Sequence, residues 1–141
     1  MLIEGGSFTL AMGSAIVGSV AKGSGGAVFI SGGSLIVSSG SLIFRSSSLI
    51  DGGAMYITGG NVNIFNGCLI SSSSAQVNGG AIAIHSGVFT LSNNSYITLS
   101  SASFGGAFYL AGGSIALSIG SSVANSTSVF EGGAAGEGRL R

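Results

Sequence analysis

Short runs of alternating apolar and polar residues, cut by glycine and serine, fill this chain from end to end. Ala27-Val28-Phe29-Ile30 and Ala54-Met55-Tyr56-Ile57 are examples. A period of two over about four residues predicts a strand with one buried face. The runs themselves recur. Gly-Gly-Ala begins at Gly25, Gly52, Gly79, Gly105 and Gly132, at spacings of 27, 27, 26 and 27 residues. Self-similarity at a fixed period is the sequence mark of a repeat architecture.

Numbered from the first glycine of the triplet, each repeat predicts three short strands separated by Gly or Ser corners. In the first strand, position 4 holds Met1, Val28, Met55, Ile82 and Phe108, and position 6 holds Ile3, Ile30, Ile57, Ile84 and Leu110. In the second, position 11 holds Phe8, Leu35, Val62, Phe89 and Ile115, and position 13 holds Leu10, Val37, Ile64, Leu91 and Leu117. Position 12 between them drifts through Thr9, Ile36, Asn63, Thr90 and Ala116, as an outward position should. The third strand carries Ile16, Ile43, Ile70, Ile97 and Val123 at position 19. Position 16 is Gly13, Gly40, Gly67, Asn94 and Gly120, residue types that tolerate positive φ at a corner. Position 17 is always small (Ser14, Ser41, Cys68, Ser95, Ser121), and position 22 is always serine (Ser19, Ser46, Ser73, Ser100, Ser126).

Antiparallel hairpins would not need one residue type at one position in every repeat. A parallel stack does, because each coil lies on the last and like meets like. The fold expected is all-β: a right-handed parallel β-helix of about five coils, a single domain spanning 1–141. The handedness follows the strong preference of parallel crossovers. Strands would pair about 4.8 Å apart along the axis. The inward columns, Ile30, Ile57, Ile84 and Leu110 on one side and Ile43, Ile70 and Ile97 on another, form the expected core. The first 24 residues enter the template at its fourth position, and GGAAGEGRLR breaks off inside a coil. Neither end carries the polar cap of a finished solenoid. The chain therefore reads as a segment of a longer array, or as a unit whose copies stack end to end.

Composition narrows the function. The chain has 27 Gly, no Pro, no Trp, and four charged residues of each sign for a net charge of zero. Without a basic footprint, phosphate neutralisation has no basis, so no nucleic-acid partner is expected. The same balance argues against a polybasic membrane contact. With 45% hydrophobic residues placed at regular intervals, the chain folds in spite of its Gly and Ser content. Met1-Leu2-Ile3-Glu4-Gly5-Gly6 lacks a basic leader, and no apolar run approaches the roughly 20 residues of a membrane helix.

Gly-Gly-Ala followed by an apolar and often an aromatic residue (GGAVF, GGAMY, GGAFY) resembles the GGA[ILV] repeat of chlamydial polymorphic outer membrane proteins. The likeness runs through nearly the whole chain. The companion Phe-x-x-Asn motif of that family is replaced by Ile43-x-x-Ser46, Ile70-x-x-Ser73, Ile97-x-x-Ser100 and Val123-x-x-Ser126. The resemblance, shared with other pectin-lyase-like β-helix surface proteins, implies an autotransporter-type passenger acting as an adhesin outside the cell or at the outer membrane.

Solenoid enzymes gather Asp or Glu on one outward face. The acids here are Glu4, Asp51, Glu131 and Glu137. Asp51 and Glu131 share a corner three coils apart, so no catalytic pair is expected. His85 stands alone at position 7, a solvated corner residue without metal-ligand partners. No phosphate-binding loop occurs, because Gly23-Ser24-Gly25-Gly26 precedes a strand and lacks the Lys-Ser/Thr ending. The single Cys68 cannot form an internal disulfide and reads as a small filler. Neither catalytic residue, metal nor cofactor is expected.

The outward feature that stands out is position 5, where Leu2, Phe29, Tyr56, Ala83 and Tyr109 should form an exposed stripe. The partners expected for it are a protein or glycan on another cell surface. The serine column at position 22 raises a second surface reading, an ice-binding hydroxyl array, although it is only one residue wide.

Overall fold

The computed structural model describes residues 1–118 and 120–131, so the fifth Gly-Gly-Ala at Gly132, the tail that follows it and Glu137 lie outside the described residues. The chain is a β-solenoid. The first coil has β1 (Leu2–Ile3), β2 (Ser7–Leu10), β3 (Ala15–Val17) and β4 (Val20–Ala21). The second has β5 (Val28–Ile30), β6 (Ser34–Val37), β7 (Leu42–Phe44) and β8 (Ser47–Ser48). The third has β9 (Met55–Ile57), β10 (Asn61–Ile64), β11 (Leu69–Ser71) and β12 (Ser74–Ala75). Next come β13 (Ile82–Ile84), β14 (Val88–Leu91), β15 (Tyr96–Thr98) and β16 (Ser101–Phe104). The last coil has β17 (Phe108–Leu110), β18 (Ser114–Leu117), β19 (Ser122–Ala124) and β20 (Thr127–Glu131).

Every strand pairs in parallel with its counterpart one coil away, giving four five-stranded sheets, β1-β5-β9-β13-β17 being the first. The register is position for position: Ile30 meets Ile57, Ile57 meets Ile84, and Ile84 meets Leu110. Ile43, Ile70 and Ile97 form the equivalent column in the third sheet. Ile30, Ile43, Ile57, Ile84 and Ile97 have no exposed surface at all. A fully buried side chain of this size contributes about 1.5–3 kcal/mol relative to an exposed one.

Three strands per coil were expected, and there are four. The additional strand lies just after the position-22 serine, as in Ser47–Ser48 and Ser74–Ala75. It is two residues long in the first three coils, and its residues are serine or alanine apart from Val20. Period-two hydrophobicity cannot register over so short a span. Backbone pairing across coils, Ser74 with Ser47 and with Ser101, makes it a strand.

The Gly-Gly-Ala triplet is the corner into the first sheet, and its backbone lies directly on the triplet of the next coil. Gly52 N–H donates to Asn78 O at 2.8 Å, Gly53 N–H to Gly79 O at 3.2 Å, and Ala54 N–H to Ala81 O at 2.8 Å. Gly52 has φ of 62°, and a Cβ there would overlap the Met55 carbonyl. A Cβ on Gly53 would overlap the Gly80 and Ser74 carbonyl oxygens. The two glycines are thus required for different reasons: the first by conformation, the second by closeness of stacking.

The corner before the third sheet is closed by the position-17 side chain in every coil but that of Ser95, whose Oγ accepts from Cys68 N–H instead. Ser41 Oγ donates to Ser38 O at 2.6 Å, Cys68 Sγ to Phe65 O at 3.1 Å, and Ser121 Oγ to Ser118 O at 2.7 Å. Cys68 therefore occupies a serine's role and is fully buried. The following corner places Arg45, Ser72, Leu99 and Asn125 in the left-handed region, with φ from 52° to 56°. For Leu99 that conformation is strained by about 1–2 kcal/mol, and its side chain is exposed, so packing returns little. Leu99→Asn, the residue already present at the equivalent Asn125, is expected to raise stability by about 1 kcal/mol. A denaturant midpoint unchanged or lowered in the variant would contradict that account.

Candidate functional site

The outward middle position of the first sheet carries the stripe. Its residues stand in register, Leu2 with Phe29, Phe29 with Tyr56, Tyr56 with Ala83 and Ala83 with Tyr109. Leu2 is exposed, and Phe29, Tyr56 and Tyr109 are half-buried. Ala83 departs from the expected exposure and has none.

His85 accounts for that departure. Two residues beyond Ala83, its exposed ring lies near those of both Tyr56 and Tyr109. Its centroid lies 5.1 Å from that of Tyr56, edge-on at 61°, and 6.4 Å from that of Tyr109. With Phe29 5.1 Å from Tyr56, four rings form one continuous column along the solenoid. Offset and edge-on pairs at such separations attract by about 0.5–1.5 kcal/mol beyond burial. His85 is exposed as expected, but it is a member of the stripe and not an isolated corner residue. The hint in sequence is the simultaneous loss of the aromatic at position 5 and gain of an imidazole at position 7.

Sequence reasoning passed over a second apolar row, at the corner between the fourth sheet and the first. Leu49, Ile50, Val77, Val129 and Phe130 are exposed there, and the Phe104 and Phe130 rings pack 5.3 Å apart. The signal was available as apolar residues recurring just before the triplet: Leu49-Ile50, Val77, Phe104 and Val129-Phe130.

Among the acids Asp51 behaves structurally. Asp51, Asn78, Phe104 and Glu131 form one ladder, so Asp51 and Glu131 share a corner as expected, with two rungs between them. Asp51 is buried, and its Oδ1 accepts from Asn78 N–H at 3.2 Å. Its own amide donates to Ser24 Oγ at 3.3 Å, and its carbonyl accepts from Ser48 Oγ at 3.1 Å. Among the described residues no group of three His, Cys, Asp or Glu is placed to hold a metal ion. Nor is any helix among them long and apolar enough to cross a membrane.

The position-22 serines turn out to face inward in the middle of the stack. Ser46, Ser73 and Ser100 are each 1% exposed. Ser100 Oγ donates to Thr98 O at 3.3 Å, while Ser46 and Ser73 Oγ have no partner. This column is part of the interior and offers no hydroxyl lattice to a surface ligand.

Burial holds the Cys68 thiol above its ordinary pKa of 9.0, against three backbone hydrogen bonds that pull it down. Burial, and then the negative charge of Asp51, raises Tyr56 above its ordinary 10.0. Both groups keep their proton more tightly folded than unfolded. Stability is therefore full below the unfolded pKa values and is lost as pH rises through the folded ones. The midpoint of thermal unfolding is expected to hold steady up to about pH 8 and to fall above about pH 9. Cys68→Ser keeps the corner hydrogen bond and should remove the earlier part of that fall. An identical alkaline profile in the two proteins would mean that Cys68 is not the group responsible.

No protein-family model, curated protein or solved structure matches the chain.

Proposed function

We propose that this chain is a non-enzymatic, structural and adhesive β-solenoid segment of a cell-surface or secreted protein. The observation that carries the reading is the column of Phe29, Tyr56, His85 and Tyr109, held outward on a rigid parallel sheet. Aromatic side chains fixed by a scaffold lose little freedom when a partner covers them, and such residues dominate contact energetics. The resemblance of the repeat to the GGA[ILV] passengers of polymorphic outer membrane proteins points the same way.

Ring geometry favours a protein partner over a glycan. A sugar stacks on a ring face that lies open, whereas neighbouring rings here sit 5.1 Å apart, tilted by 40° and 61°. Neighbouring rings thus partly cover one another, the Tyr56–His85 pair meeting edge to face. What they present outward suits an apolar protein surface.

The test is binding of the folded chain to intact cells and to immobilised surface proteins, alongside a Tyr56→Ser, Tyr109→Ser double variant. Both side chains lie outside the core cluster, so the double variant should fold, at a melting temperature lowered by the loss of the three ring pairs. Binding should weaken at least about tenfold, the loss of roughly 1.4 kcal/mol expected from two contact aromatics. Undiminished binding by a folded double variant would remove the stripe from the function.

A further inference from the structure

Asparagine followed by glycine is the step at which a peptide chain can modify itself, because glycine has no side chain to keep its amide nitrogen off the asparagine Cγ. The sequence has two such steps, Asn66-Gly67 and Asn78-Gly79. Their settings differ. Asn66 and Gly67 are both exposed, on the corner between β10 and β11, with φ of 61° and 74°. Asn78 is half-buried and Gly79 buried, between β12 and β13. Asn78 N–H donates to Asp51 Oδ1 at 3.2 Å, its carbonyl accepts from Gly52 N–H at 2.8 Å, and it pairs with Asp51 on one side and Phe104 on the other. In both steps the glycine N–H is engaged, Gly67 with Asn93 O at 2.9 Å and Gly79 with Phe104 O at 2.9 Å. That nitrogen attacks only once it is released, so the rate in the folded chain follows local opening. At Asn66 an exposed corner has to open, whereas at Asn78 coils on both sides have to part.

We infer that Asn66 is a site of spontaneous deamidation in the folded protein and that stacking shields Asn78. The Gly67 nitrogen gives its proton to solvent and bonds to Asn66 Cγ, the Cγ–Nδ2 bond breaks, and Nδ2 leaves as ammonia, so that a succinimide remains. Water then opens the ring at Cγ to give aspartate, or at the α-carbonyl to give isoaspartate. The two products differ in what they do to the stack. An aspartate carboxylate still accepts from Asn93 Nδ2, which donates to Asn66 Oδ1 at 3.3 Å. Isoaspartate routes the chain through the side chain and adds a backbone atom where Gly40 N–H meets Asn66 O at 2.9 Å, breaking the ladder at that corner. Either product adds one negative charge to a chain of net charge zero.

The experiment is peptide mass spectrometry of the whole chain incubated at mildly alkaline pH, folded and in urea, with isoaspartyl methyltransferase labelling to tell the products apart. In the folded chain Asn66 should convert at least about tenfold faster than Asn78, because opening costs run from near zero at exposed turns up to that of global unfolding. In urea the two steps should react at similar rates. Asn93→Ser places there the residue found at the equivalent Ser39, where φ is 56°. It removes the side-chain bond on the Asn66 amide and should speed conversion by about two- to tenfold, the worth of one hydrogen bond. Equal conversion of the two asparagines in the folded wild-type chain, or an intact Asn66 where the urea-treated chain has reacted, would overturn the inference, and that comparison stands whether or not the variant folds.

Discussion

Gly53→Ala is expected to destabilise the chain by about 3 kcal/mol or more, at the upper end of what overpacking costs. One methyl group does this because the space it needs is filled by backbone. The Gly80 carbonyl belongs to the next coil and the Ser74 carbonyl to β12 of the same coil, and neither can turn aside as a side chain would. The coils would have to separate locally, breaking the Gly53 N–H to Gly79 O bond and its neighbours. Gly23→Ala provides the control. Its Cβ would meet nothing within 4 Å, and its φ is not in the left-handed region. That change should stay within about 0.5 kcal/mol. Urea midpoints of the two variants decide the matter, and equal midpoints would mean that the triplet is not a stacking device.

The second large effect concerns phase. Deleting residues 52–78 removes one whole coil and joins Asp51 to Gly79. The new step would bring Ile30 to Ile84, Leu35 to Phe89, Val37 to Leu91 and Ile43 to Ile97, all pairs that the existing columns already tolerate. The shortened chain should fold with β-sheet circular dichroism and a cooperative melt, at a somewhat lower temperature because one set of neighbour contacts is gone. Deleting residues 52–64 removes fewer residues and should do far more harm. Cys68 and Ala75 would then fall at the fourth and eleventh positions, where Met55 and Val62 pack, and each later strand would miss its partner. A chain with four coils left can absorb a lost coil but not a lost phase. If the two deletions melt alike, the coils do not behave as modules.

What could be read from residues alone follows from what repeats. Ile30, Ile57 and Ile84 announce a column because a buried strand position admits few side chains and each coil must satisfy the same neighbours. The triplet was legible too, although its second glycine is explained only by the approach of the next coil's backbone. The fourth strand was not legible. Ser47 and Ser48 carry no apolar alternation, and they pair because the strands on either side bring their backbones together. The inward turn of Ser46 and Ser73 was hidden for a related reason, since a hydroxyl is ordinarily read as a surface group. Ala83 and His85 mark the limit in the candidate site itself. Column reasoning treats positions separately, whereas the ring at position 7 lies near rings at position 5, a relation visible only in three dimensions.

One coil is a residue shorter than its neighbours, and the register shifts between Ala102 and Phe104 to absorb the difference. Asn78 still meets Phe104 on one side, and Ile84 still meets Leu110 on the other. The shortage is confined to β16, while the other three sheets run past it in register. A change of one residue in coil length is therefore taken up within a single sheet, so the rod tolerates it where it would not tolerate a change of phase.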